Sequence, residues 1–205
     1  MKKLLFIVAL TFVFSNTSNA QNTTSTQTTT SKDGISFGAK AGVNFATLSK
    51  DEGFKPDNKT GFHVGAVAEI PITEKFLIQP EVVFSSQGFK ESDEGVTYTV
   101  KLNYINVPVM AGYRIIEGLT AQAGPQFGIN ISAKEVNDFN DDDLDIKDNI
   151  KTLDIGFGFG AQYELDFGLF FQARYTLGLN KVFDFDESPD FKNRVASLSV
   201  GYFFN

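Results

Sequence analysis

Residues 119–132, LTAQAGPQFGINIS, alternate apolar and polar side chains almost without interruption. Leu119, Ala121, Ala123, Pro125, Phe127, Ile129 and Ile131 fall on one side; Thr120, Gln122, Gly124, Gln126, Gly128, Asn130 and Ser132 fall on the other. Successive side chains of a strand point to opposite faces, so the stretch predicts a strand with one greasy and one hydrophilic face. The same period recurs along the chain. It predicts eight strands, at 34–47, 61–71, 76–88, 96–114, 119–132, 152–165, 169–181 and 191–204.

Period two alone does not say which face meets water. A soluble sandwich turns the apolar side in, and a membrane barrel turns it out. The connections discriminate. Loops 48–60, 89–95, 133–151 and 182–190 alternate with turns 72–75, 115–118 and 166–168. An even strand count places both chain ends on the side of the tight turns, which is the pattern of short periplasmic turns and longer outer loops. Most of the strands run 11 to 14 residues, enough to cross a bilayer when tilted. Their apolar faces, such as Phe37, Val43 and Phe45 or Leu153, Ile155, Phe157 and Phe159, carry no charge. The opposite faces are rich in glycine, serine and amides, which suit the narrow interior of an eight-stranded barrel. The predicted fold is therefore all-β: an eight-stranded antiparallel up-and-down transmembrane β-barrel, apolar face to lipid.

The N-terminus adds a route of export. Lys2 and Lys3 precede an apolar run, Leu4 to Phe14, too short to span a bilayer, and Ser18-Asn19-Ala20 offers small residues for cleavage. Residues 1–20 read as a cleaved signal peptide preceding the barrel. Residues 21–33, nearly all Thr, Ser, Gln and Asn, read as a flexible tether, and 34–205 as the barrel domain. A net charge of −7 with no basic stripe argues against nucleic acid. With no cysteine there is no disulfide and no N-terminal lipid attachment through one.

Five stretches carry a resemblance: FLIQPEVVFSSQGFK (76–90), LNYINVPVMAGYRI (102–115), LTAQAGPQFGINISAK (119–134), LFFQARYTLGLN (169–180) and the closing VASLSVGYFFN. In serial order they resemble the outer-membrane protein beta-barrel domain family, the PorT-like, porin-family proteins common in Bacteroidota. The resemblance spans about 34–205 and implies an eight-stranded barrel of OmpX or OmpW size in the outer membrane of a Gram-negative bacterium. It implies outer-membrane lipid and the outer-membrane assembly machinery as partners. It brings no catalytic motif, and barrel similarity alone does not transfer a secretion role from the PorT label.

The residues themselves nominate two sites. Charges on the inward face, Lys40, Glu69, Glu81, Lys101, Asp154, Glu164 and Arg174, read as a structural polar network, because charges in a narrow interior need partners. Lys40 and Glu69, on neighbouring strands, are expected within reach of each other. In loop 133–151, Asp141, Asp143 and Asp145 repeat at every second position and are the candidate cation ligands. The loop lacks glycine at the sixth position, Ile146, and glutamate at the twelfth, Thr152, so it reads chiefly as a solvated acidic surface. His63 is the sole histidine, with no second His or Cys for a metal and no serine paired with it by spacing. Pro108 inside the fourth strand removes a ladder donor, implying a bulge or a rim position and leaving the phase beyond it open. The reading is a monomeric, non-enzymatic barrel without cofactor, serving membrane integrity, surface interaction or small-ligand binding. Its rivals are a soluble periplasmic lipocalin-like lipid binder, a PorT-type secretion component, and an outer-membrane barrel hydrolase.

Overall fold

The computed structural model describes residues 34–49, 56–93, 96–137, 140–184 and 190–204; the signal peptide and tether expected at 1–33 lie outside them. Nine strands follow in order: β1 Ser36–Leu48, β2 Asp57–Pro71, β3 Phe76–Asp93, β4 Val96–Ile116, β5 Leu119–Asn137, β6 Asn140–Asp145, β7 Leu153–Glu164, β8 Leu169–Gly178 and β9 Asn193–Phe204. Eight of them close a ring. Each pairs antiparallel with its chain neighbour, β5 passes directly to β7, and β9 returns to β1. Closure leaves no strand edge within the ring, as hydrocarbon demands of a backbone that finds no water there. The short β6 folds back on the outer end of β5 as a hairpin extension.

Turn chemistry fixes the tight side. Gly118 (φ 77°) and Gly168 (φ 92°) take left-handed conformations that a side chain would resist, and Thr73 Oγ1 accepts the Phe76 N–H across the β2–β3 turn. On the opposite side the strands run further than their alternation predicts. β3 and β4 stay paired to Asp93↔Val96, so most of the loop expected at 89–95 is strand.

The exterior is apolar over most of its height. Phe37, Phe62, Phe127, Phe159 and Phe171 all stand exposed, while Gln126 and Arg174 are buried inside. An uncharged hydrophobic band running round every strand far exceeds what a soluble surface carries, and it is stable against lipid. The face assignment read from the alternation is the observed one.

The interior is layered rather than uniformly polar. Near the tight turns it holds Val67, Phe170 and Phe203, with the Phe170 and Phe203 rings 4.8 Å apart. The middle is polar. The outer end is again apolar, filled by Leu48, Phe89, Val100, Leu102, Tyr104, Ala133, Ile150, Val182 and Phe191. There the strands have left the hydrocarbon, so the outward side is polar and the inward side greasy, as in a soluble sheet.

This inversion displaces one expected network member. Lys101 points outward, beside Asp143, because even-numbered residues of β4 face in and odd ones out. The phase continues unbroken through Pro108, which faces inward in mid-strand with neither a bulge nor a rim position. Pairing instead skips there: bridges run Pro80↔Val109 and then Val83↔Asn106, a gap flanked by two prolines that lack the donor.

The orientation predicts a depth-dependent cost of charge. Phe159→Arg, near mid-strand on β7, should destabilise the refolded barrel by about 2–4 kcal/mol, and Ile116→Arg at the rim by about 0–1 kcal/mol. Chemical unfolding in lipid vesicles measures both; equal costs would contradict the assigned faces.

Candidate functional site

The polar middle layer is assembled from side chains on five strands. Glu81 on β3 is its centre. Its carboxylate accepts two parallel hydrogen bonds from Arg174 on β8, Nη1 to Oε2 at 2.9 Å and Nη2 to Oε1 at 2.7 Å. Lys40 on β1 approaches Oε2 at 2.6 Å and donates to Gln172 Oε1 at 2.8 Å. Such a two-pronged, charge-assisted pairing is the strong form of the contact, and burial leaves little water to weaken it. Around it lies a belt of four glutamines. Gln79 donates to Glu81, Gln122 to Gln79, and Gln172 to Gln122, each at 2.9 Å, while Gln162 accepts from the same group at 3.3–3.5 Å. No member of the belt is more than 4 % exposed. The arrangement links side chains of five strands across the barrel interior.

The structure separates the other expected members. β1–β2 register sets Ser36 opposite Glu69 and Lys40 opposite Gly65. Glu69 thus lies four residues nearer the tight turns, about 13 Å along the strand, and the expected Lys40–Glu69 contact is not made. Glu69 instead pairs with Arg114 at 2.7 Å. Asp154 is buried towards the outer end, where it accepts from Asn193 Nδ2 at 3.1 Å, beside the Tyr104 hydroxyl. Glu164 sits half-buried at the β7 end, its N–H bonded to the Gly118 carbonyl. The glutamines stand at inward positions of the alternation, the signal by which they are legible as network members.

Above the centre, barrel closure creates a contact that no local spacing reveals. His63 Nδ1 lies 2.9 Å from Asn44 Oδ1, and His63 Nε2 lies 2.8 Å from Ser199 Oγ, 136 residues away in the chain. Asn44 Nδ2 donates to Ser85 Oγ and to the Ser86 carbonyl, so its oxygen accepts from Nδ1–H and Nε2 accepts the Ser199 hydroxyl. A hydroxyl, an imidazole and an amide in series have the connectivity of a nucleophilic triad. Here the three are buried, Asn44, His63 and Ser199 being 2–8 % exposed, and the chamber that Asn44 and His63 help to line has a volume of about 30 Å³, room for one or two waters.

The acidic loop forms part of the outer sheet. Asp143 lies 2.9 Å from Lys134 and 3.9 Å from Lys101, and the Asp145 carboxylate accepts the Lys147 backbone N–H at 2.9 Å. The side chain of Asp141 lies outside the described residues. Among the described residues no three potential metal ligands come together. The hydrogen bond from Lys134 holds the Asp143 carboxyl below its usual range, and the same bond raises Lys134.

A sequence profile of the outer membrane protein beta-barrel domain family matches residues 16–184. The chain belongs to that family. Among solved structures it is similar to Neisserial surface protein A, at 16% identity and a TM-score of 0.56, covering 83% of this chain and 99% of that one. It is similar also to Ail, the attachment invasion locus protein of Yersinia pestis, crystallised with the heparin analogue sucrose octasulfate, at 19% identity and a TM-score of 0.50, covering 83% and 99%. At such identities the likeness shows the fold alone. No curated protein matches the chain. Family and fold together make this an outer-membrane β-barrel protein.

Two outcomes follow from the site. Glu81→Gln leaves Lys40 and Arg174 facing each other without a counter-charge and should cost about 3–5 kcal/mol, whereas Arg114→Gln, at a position open to water beside the buried Glu69, should cost less than that. Urea unfolding in lipid ranks them. In the outer sheet, the Lys134–Asp143 contact should persist at neutral pH and be lost as pH falls through the lowered Asp143 value. Lys134→Gln should move the Asp143 titration, followed by carboxyl NMR, back upward; an unmoved midpoint would deny the contact.

Proposed function

We propose that the protein is a closed, non-enzymatic, monomeric barrel that presents an acidic outer sheet to cationic partners at the cell surface. The observation that carries this reading is the extension of β3, β4 and β5 past the apolar belt. It is filled inside by the outer hydrophobic cluster and has the β5–β6 hairpin on its flank. A rigid, internally packed platform is a costly structure for a mere loop and suits a surface that makes contacts.

Its charge selects the partner class. Residues 133–151 carry seven carboxylates against three lysines. Such a field draws basic peptides or polyamines and repels polyanions, within a screening length of about 8 Å at physiological salt. Ail was crystallised with a sulfated heparin analogue, and the acidic sheet argues for a ligand of opposite sign here.

Support for a non-conducting, non-catalytic role comes from the interior. The Glu81–Arg174–Lys40 cluster and the glutamine belt occupy the barrel interior, and Ser199 is buried, only 8 % exposed. Outer-membrane lipid is the medium of the apolar face. A soluble lipid-binding barrel would bury that face, and it is exposed.

The test uses the full chain refolded into lipid nanodiscs. Polylysine should bind at physiological salt and release at high salt, heparin should not bind, and replacing Asp141, Asp142, Asp143 and Asp145 together by Asn should weaken polylysine binding at least tenfold. Retention on heparin, or polylysine binding indifferent to the four substitutions, would overturn the proposal. Planar-bilayer recordings should give no stepwise conductance, and a fluorophosphonate should leave Ser199 unlabelled.

A further inference from the structure

The central cluster is unbalanced. Glu81 is a single carboxylate, and it faces two cations, Lys40 and Arg174. Both of its oxygens are already taken, Oε1 by Arg174 and Gln79 and Oε2 by Arg174 and Lys40. These three are the charged side chains lining the chamber of about 30 Å³ immediately above them. Asp154 and Glu69 lie outside its lining, and His63, donating through Nδ1 and accepting through Nε2, carries no charge. One positive charge therefore remains uncompensated in a membrane-embedded interior, where an unpaired ion costs several kcal/mol.

A second, independent observation lies at the same place. Arg174 Nε and Asn106 Oδ1 are buried, within residues only 7 % and 4 % exposed, and neither makes a hydrogen bond within the protein. Buried polar atoms normally find partners, so both mark the edge of something that the chamber receives. Both residues line it, with Gln126, Thr176 and Ser197 supplying further polar groups. Arg174 Nε–H needs an acceptor whichever way the Asn106 amide lies, and with that amide turned by a half-turn its NH₂ becomes a second donor there.

We propose that this chamber binds one small monovalent anion of the halide class, held by Arg174 Nε–H and neutralising the excess charge of the Lys40–Glu81–Arg174 cluster. The volume excludes phosphate esters and carboxylate metabolites and admits an ion about the size of a water molecule. The site is lined by inward side chains of seven strands, β1 to β5, β8 and β9, so the ion acts as a structural part of the interior.

The test is made on the full chain refolded and crystallised in bromide. One anomalous peak is expected in the chamber, within hydrogen-bonding distance of Arg174 Nε. In solution, folding should be favoured by chloride or bromide over gluconate at equal ionic strength. Above saturation, the folding equilibrium constant should rise about tenfold for each tenfold increase in halide. Lys40→Gln keeps the Arg174–Glu81 pair, so the barrel should still fold, and it removes the excess charge; it should abolish both the peak and the halide dependence. Arg174→Gln should do the same, but its folding is less secure, and Lys40→Gln decides. A chamber holding water alone, or halide effects that survive Lys40→Gln, overturns the proposal.

Discussion

The structure depends on one constraint: a β-sheet surrounded by hydrocarbon must satisfy every backbone hydrogen bond within itself. Eight strands meet it by closing β9 onto β1 and β4 onto β5. The consequences follow from size. A ring of eight leaves an interior only wide enough for side chains, so the inside is a packed core in which polar groups must find one another. Glu81, Arg174, Lys40 and four glutamines do so from strands that are not neighbours in the ring, tying its opposite walls together.

The rule that assigns residues to faces changes along each strand. In the bilayer, greasy side chains point out and polar ones in. Beyond it, Lys101 and Lys134 point out while Val100, Leu102 and Ala133 point in. The backbone phase is continuous through this change; only the solvent on the outside differs. The protein is thus a membrane barrel and a small soluble sheet built on the same strands, and the apolar outer cluster seals one from the other.

This explains what could be read in advance. The ring, its strand count and its lipid face follow from period two with the alternation of turns and loops, because the bilayer imposes one uniform demand on every strand. The alternation turns Lys101 inward because Val100, Leu102 and Tyr104 look like a lipid-facing row, and nothing in the pattern marks where lipid ends. For Lys40, adjacency in the sheet suggests Glu69, while the observed partner Glu81 stands two strands away and meets it across the interior. The His63–Ser199 contact needs the β1–β9 closure and has no local signature. Pro108 looked like a break in phase; the ladder tolerates it by skipping bridges beside Pro80.

The chain contains no tryptophan, so a single one reports its surroundings without interference. Phe159→Trp on the exterior and Tyr104→Trp in the outer interior, each refolded into vesicles with brominated acyl chains, test the central claim that the apolar face meets lipid and the interior is sealed from it. Strong quenching at position 159 with little at 104 is the predicted result. Quenching at 104 with protection at 159 would contradict the account.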